Sequence, residues 1–125
     1  MNKLIFFVDD DKMIINLLEY TFQSRQQYQV MTFNSGEDCI ASLDSKPDLI
    51  VLDYMLSVDD DNRFSGIDTL ERIKKSYANL PVIMLTGHGN DALEKLAGEK
   101  GAERYLTKDD YFIDKLVDVI EDCLN

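Results

Sequence analysis

Two apolar runs in this chain end abruptly in aspartate. Leu4-Ile5-Phe6-Phe7-Val8 runs into Asp9-Asp10-Asp11, and Leu49-Ile50-Val51-Leu52 runs into Asp53. A short apolar run without polar alternation fits a strand buried on both faces, as in a parallel sheet covered by helices. A carboxylate at the end of a buried strand is costly unless something compensates it. The pattern therefore constrains two things together: a helix-covered sheet, and at one end of it a site for a hard cation.

The rest of the chain repeats the alternation. Met13 to Phe22 spaces Ile14, Leu17, Leu18 and Phe22 as one face of a helix. Tyr28 to Phe33 reads as a second strand, and Asn34 or Ser35 can cap a helix running from Gly36 to Leu43. Leu49 to Leu52 is the third strand, entered after the break at Lys46-Pro47, and Gly66 to Tyr77 is a helix with Ile67, Leu70 and Ile73 on one face. Pro81 to Leu85 is a fourth strand, Asn90 to Lys100 a helix stopped by Gly101, and Arg104 to Thr107 a short fifth strand. Tyr111 to Leu124 closes the pattern as an amphipathic helix with Asp109 or Asp110 as its N-cap.

Repeated strand–helix units of this kind predict an α/β fold: a doubly wound, five-stranded parallel sheet with helices on both faces. Right-handed crossovers leave few topologies, and the common flavodoxin-like strand order is 2-1-3-4-5. That order sets the ends of strands 1 and 3 side by side, so Asp9, Asp10 and Asp53 are expected to converge on one crevice.

The bulk properties narrow the function. A chain of 125 residues is read as one domain, residues 1–125. The formal net charge of −11 argues against nonspecific nucleic-acid binding and against an anionic membrane surface. Cys39 and Cys123 form no metal or redox motif and suit a reducing compartment. Strand-like sequence starts within a few residues of Met1, and no apolar run reaches membrane-spanning length. The expectation is a cytoplasmic protein.

Three carboxylates in one crevice repel one another, and one of them should have a raised pKa. A small divalent cation with oxygen ligands relieves this; Mg²⁺ suits it, with Mn²⁺ as an alternative. An acid that is not fully engaged as a ligand can act as a nucleophile on phosphorus. Two further strand ends supply what phosphoryl transfer needs. Thr86 follows Val82-Ile83-Met84-Leu85 and precedes Gly87-His88-Gly89, so its hydroxyl can bond a phosphoryl oxygen. Lys108 follows Tyr105-Leu106-Thr107, and its ammonium can pair with the acids and then with the phosphoryl group. Positioning and charge neutralisation carry most of such a transfer.

Phe7-Val8-Asp9-Asp10, Val51-Leu52-Asp53, Leu85-Thr86-Gly87 and Tyr105-Leu106-Thr107-Lys108, in this order and spacing, resemble the receiver domain of two-component response regulators. The resemblance covers Lys3 to Leu124. It implies that Asp53 is the phosphoacceptor, with Thr86 and Lys108 as its catalytic partners. It implies a metal site of Asp10, Asp53, Asp9 (mainly through water) and the backbone carbonyl of Met55. Tyr105 takes the place of the aromatic switch that turns inward as Thr86 moves, and Met55 and His88 the positions that tune hydrolysis of the acyl phosphate. The implied partners are a sensor histidine kinase or a histidine phosphotransfer protein, and a target protein docking on the face of helix 4, strand 5 and helix 5. A monomer or a phosphorylation-dependent dimer is expected. With no output domain after the fifth helix, the chain is expected to act as a stand-alone receiver, similar to chemotaxis regulators. It would be a signalling protein that catalyses only its own phosphorylation and slow dephosphorylation.

Several positions depart from the family pattern. Leu56 stands where proline is usual, Gly66 is the equivalent of a glycine that usually comes sooner, and the loop Ser57 to Ser65 is accordingly long and carries Asp59-Asp60-Asp61. Asp109 follows Lys108 where proline, often with a cis bond, is usual. A cis bond without proline costs roughly 2.5–4 kcal/mol, so this bond is either trans in a different loop or held in strain.

Other readings explain less. Asp59-Asp60-Asp61 is no helix-loop-helix calcium site, since a frame from Asp59 puts Phe64 and Leu70 at the required glycine and glutamate, and a frame from Asp61 ends on Arg72. A haloacid-dehalogenase-type phosphatase would use Asp9 as nucleophile and leave Asp53, Thr86 and Lys108 unexplained. A pseudo-receiver, binding partners without phosphorylation, usually lacks one of the acids or the lysine. A flavodoxin-like electron carrier needs a hydroxyl-rich phosphate loop after the first strand. Met13 and Ile15 flank the first helix's core stripe and are either plain surface or a docking patch for a histidine-bearing helix.

Overall fold

A computed structural model describes residues 2–56 and 64–125. The order is β1 (Lys3–Val8), α1 (Lys12–Gln23), β2 (Tyr28–Phe33), α2 (Gly36–Ala41), a 3-10 turn (Leu43–Ser45), β3 (Leu49–Asp53), α3 (Gly66–Ser76), β4 (Val82–Thr86), α4 (Asp91–Glu99), β5 (Arg104–Thr107) and α5 (Phe112–Leu124). All strand pairs are parallel and the sheet order is β2-β1-β3-β4-β5, as expected from the sequence. The doubly wound, flavodoxin-like α/β fold is thus observed directly.

The strands are apolar throughout because both of their faces are covered. Ile5, Phe7, Leu49, Val51, Ile83 and Leu85 pack with Leu18 and Phe22 of α1 and with Leu116 and Ile120 of α5. The alternate residues Phe6, Val8, Ile50, Leu52 and Met84 pack with Cys39 of α2, Leu70 and Ile73 of α3, and Ala97 of α4. Burial pushes the Cys39 thiol up to about 12, which leaves it an inert member of that core. Cys123 is half-buried, and both cysteines are free.

Some element ends differ from the sequence reading. Helix α2 stops at Ala41 rather than Leu43, and Leu43 enters a 3-10 turn that ends on Lys46 in the left-handed region at φ 59°. Strand β4 runs Val82–Thr86 rather than Pro81–Leu85: Pro81 has no N–H for the ladder, whereas Thr86 pairs with Thr107. In α1, Leu18 and Phe22 are buried, but Leu17 is 43% exposed and does not belong to the core stripe. Ile15 packs against the α1/α5 core, while Met13 is exposed. Asp11 caps α1 through Met13 N–H, and Ser35 rather than Asn34 caps α2. The N-cap of α5 is Tyr111, with no side-chain cap; Asp109 instead accepts from Tyr111 N–H two residues ahead of it. No cis peptide bond occurs among the described residues, so Lys108–Asp109 is trans. The acidic run Asp59-Asp60-Asp61 lies outside the described residues.

The end of the sheet remote from the aspartates is closed by a satisfied ion pair. Lys74 Nζ, on the last turns of α3, donates to Glu103 Oε1 at 2.6 Å and to the carbonyl of Leu80 at 2.6 Å. Glu103 Oε2 accepts from Val82 N–H at 2.7 Å, which ties the entries of β4 and β5 together. The Lys74 side chain is only 12% exposed, and removing its ammonium leaves the part-buried Leu80 carbonyl and the Glu103 carboxylate without that donor. Lys74→Met should therefore destabilise the domain by about 1–3 kcal/mol. Urea unfolding followed by tyrosine fluorescence and circular dichroism checks this; a loss within the noise of a surface substitution would sink it.

Candidate phosphoacceptor site

The strand order brings the β1 and β3 ends together, and β1 pairs with β3 up to Val8 opposite Leu52. One carboxylate oxygen from each of Asp9, Asp10 and Asp53 lies within 4.8 Å of the other two. Asp9 is 2% exposed and Asp53 3% exposed, while Asp10 is half-buried. The convergence expected from topology is present.

Asp9 is held at both oxygens. Oδ1 accepts from Asp11 N–H at 2.9 Å, and Oδ2 accepts from Lys108 Nζ at 2.6 Å. Asp53 Oδ1 accepts from Met55 N–H at 3.2 Å and faces Lys108 Nζ at 3.3 Å. One ammonium thus serves two buried carboxylates contributed by different strands. Burial raises the pKa of Asp53 to about 6, the Asp9 charge adds to this, and Lys108 and Met55 N–H only partly offset it. For Lys108, burial works against the charge, but the hydrogen bond to Asp9 and the charges of Asp53 and Asp9 outweigh it, so its pKa is raised and it stays cationic.

The other predicted residues surround this centre at different depths. Thr86 ends β4 and is buried; its Oγ1 accepts from His88 N–H at 3.3 Å, and its carbonyl accepts from Lys108 N–H at 2.7 Å. His88 is exposed and Met55 is 65% exposed. Tyr105 packs against the core beneath α4, opposite Met84 in the β4–β5 register, and its buried hydroxyl has no hydrogen-bond partner among the described residues. The sequence reading misses the amides. Beside the carbonyl role expected of Met55, its N–H orients Asp53, and Asp11 N–H likewise orients Asp9. Peptide groups carry no residue signature, so no sequence signal marks them.

Two glycines allow close approaches. A Cβ at Gly66 would overlap the carbonyls of Asp53 and Tyr54, so glycine lets the start of α3 abut the end of β3. The start is fixed by a capping box between Ser65 and Asp68. A Cβ at Gly89 would overlap Thr107 Oγ1, so the β4–α4 loop lies directly on the end of β5.

A parallel α/β sheet with three acids at its switch point, flanked by a threonine and a lysine from the next two strand ends, defines a class of signalling domain. The family model for the response regulator receiver domain matches residues 5–121. The chain is 37% identical over 109 residues to the Bacillus subtilis alkaline phosphatase synthesis transcriptional regulatory protein PhoP, covering 86% of this chain and 43% of the relative. It is 35% identical over 108 residues to the Escherichia coli K12 transcriptional regulatory protein CpxR, again covering 86% and 43%. The chain thus spans less than half the length of these relatives. Among solved structures, the BeF3-activated DrrB receiver domain superposes with a TM-score of 0.83 at 31% identity, covering 99% of this chain and 98% of that one. The Brucella abortus NtrX receiver domain gives 0.83 at 30%, covering 96% and 97%. This chain belongs to the response regulator receiver domain family.

The raised pKa of Asp53 has a stability consequence. Its folded pKa lies above the unfolded value of 3.8, so the folded state holds its proton longer. Metal-free stability should then fall as pH rises from about 4 to about 6, by an amount on the order of 2 kcal/mol from this group. Asp53→Asn should abolish that portion and melt above wild type at pH 7. Thermal melts in chelator across pH 4 to 7 decide it. An Asp53→Asn variant that melts clearly below wild type at pH 7 would contradict the clustered-acid account.

Proposed function

We propose that the chain is the phosphoacceptor of a two-component or phosphorelay system, with Asp53 as the residue that takes the phosphoryl group. The observation that carries this is the sharing of Lys108 between Asp9 and Asp53 at the sheet's switch point. Met55, whose N–H binds Asp53, and His88, whose N–H binds Thr86, are both exposed, and in this reading the donor approaches from that side.

In this reading an Asp53 oxygen attacks the phosphorus of a phosphohistidine on a sensor kinase or phosphotransfer protein. An O–P bond forms, the P–N bond breaks, and the electron pair leaves with the imidazole. Lys108 swings its charge from the carboxylates toward the phosphoryl oxygens, and the Thr86 hydroxyl donates to one of them. The three-acid group is chemically suited to a hard divalent ion such as Mg²⁺ or Mn²⁺, with Asp10 and Asp53 as ligands, Asp9 acting through water and the Met55 carbonyl completing the set. When bound, that ion neutralises charge on the acids and on the incoming group. Met55 and His88, on the exposed rim, control water's access to the acyl phosphate and so its lifetime. Hydrolysis returns the free carboxylate and inorganic phosphate, and the slow cycle is signalling rather than metabolic catalysis.

The output is read from the face of α4, β5 and α5. Tyr105 lies opposite Met84 in register, and Thr86, two residues beyond Met84, points to the same face of the sheet. The buried Tyr105 hydroxyl, without a partner among the described residues, is a cost in the present conformation. Movement of Thr86 toward a phosphoryl group gives Tyr105 a different packing to occupy, and phosphorylation shifts the population between the two. A protein target, or a second copy in a phosphorylation-dependent dimer, binds the altered face. Residues 1–125 act as one receiver unit in the cytoplasm; no described helix is long and apolar enough to cross a membrane.

Intact mass after incubation with Mg²⁺ and acetyl phosphate, or with a phosphorylated histidine protein, should show one base-labile phosphoryl adduct on wild type and none on Asp53→Ala. An adduct retained by Asp53→Ala but lost in Asp9→Ala would favour the phosphatase-type chemistry. Absence with both donors would leave a pseudo-receiver that signals by contact.

A further inference from the structure

Lys108 is placed by a turn that the usual proline could not make. Its own N–H completes the last rung of the β4–β5 ladder on Thr86 O at 2.7 Å. The next N–H, that of Asp109, folds back to Thr107 O at 2.9 Å and closes a three-residue turn with Lys108 at its centre. Proline at 109 has no N–H to donate. The Asp109 carboxylate secures the other side of the turn. Oδ1 accepts from Tyr111 N–H at 3.0 Å, and Oδ2 accepts from Lys115 Nζ at 3.1 Å on the first turn of α5. The exposed Asp109 carboxyl is held below its ordinary pKa by Lys115 and by that amide, so it remains an acceptor at neutral pH. On the opposite flank, Gly89 lets the β4–α4 loop press on Thr107, whose carbonyl is the acceptor of the turn.

We infer that Asp109 is the positioning residue for Lys108, fixing the backbone from which one ammonium must reach both Asp9 and Asp53. The inference rests on the phosphoacceptor reading for its effect on rate, but not for its effect on cation binding. The reach is demanding, because Nζ sits 2.6 Å from Asp9 and 3.3 Å from Asp53. A small displacement of the turn breaks one contact or both. Lys108 also competes with any cation for these two acids, so a loosened Lys108 slows phosphorylation and strengthens Mg²⁺ binding together. A merely destabilised fold would weaken both.

The test compares Asp109→Ala, Asp109→Asn and Asp109→Pro in the whole chain. Phosphorylation is followed by intact mass with acetyl phosphate, and Mg²⁺ affinity by calorimetry on the unphosphorylated protein. Asp109→Ala should slow adduct formation by about three- to tenfold and raise Mg²⁺ affinity. Asp109→Asn keeps the acceptor for Tyr111 N–H and should recover most of the wild-type behaviour. Asp109→Pro, which removes the turn's N–H, should show the larger effect. In a Lys108→Ala background, Asp109→Ala should change Mg²⁺ affinity no further. Wild-type values for Asp109→Ala, a loss of both properties together, or an undiminished effect without Lys108 would each overturn the inference. If wild type takes no phosphoryl group, the phosphoacceptor reading fails, while the Mg²⁺ arm still reports on Lys108.

Discussion

One ammonium shared between two buried carboxylates organises the functional end of this domain. Asp9 and Asp53 come from adjacent central strands, and Lys108 comes from the edge strand β5 on the far side of β4. Neither acid could be buried alone without neutralising itself. Lys108 could not be half-buried without them. A single positive charge cannot balance the cluster, however, and burial together with the Asp9 charge raises the Asp53 pKa to about 6. The sheet topology thus imposes a site that is coherent but electrostatically incomplete, and its missing positive charge is what a divalent cation is chemically suited to supply.

The two ends of the sheet are built on opposite terms. At the end away from the acids, Lys74 and Glu103 satisfy each other and also the backbone of Leu80 and Val82. At the acid end, charge is in excess, and among the described residues the Tyr105 hydroxyl has no partner and the Thr86 hydroxyl accepts from the His88 amide of its own loop. Unpaired polar groups are tolerated where the rest of the fold over-determines the chain. The ion-paired end and the apolar layers above and below the sheet hold the strand ends that carry the acids in place.

Much of this was legible in the residues. The apolar runs marked the strands because both faces are covered, and the alternation with helical spacing led to the strand order and from it to the convergence of Asp9, Asp10 and Asp53. What could not be read were features decided by backbone geometry or by neighbours remote in sequence. Leu17 has helical spacing but faces outward, because the neighbouring Leu18 takes the core position. The first residue of β4 is misread from sequence because proline fits an extended backbone and accepts from Ile50 N–H, yet has no N–H to donate to the ladder. Asp109 looks like a helix cap, and it is an acceptor for the same helix entrance, but from two residues outside it. The orienting amides of Asp11 and Met55 were invisible for a simpler reason: every residue type but proline carries an N–H.

The trans bond at Lys108–Asp109 resolves the alternative that the sequence left open, and the resolution has physical content. A proline after the lysine fixes a turn by restricting φ and by removing a donor. Aspartate reaches an ordered turn by the opposite route, supplying a donor to Thr107 and two acceptors toward α5. The first route is built into the covalent chain, whereas the second depends on Lys115 and on the start of α5 staying where they are. Lys108, which contacts Asp53, is consequently tied, through Asp109, to the first turn of the helix on the proposed output face. Repacking of α5 by a partner would be felt at Lys108 through two hydrogen bonds, and by reciprocity the loss of Lys108 from the carboxylates would be felt at α5.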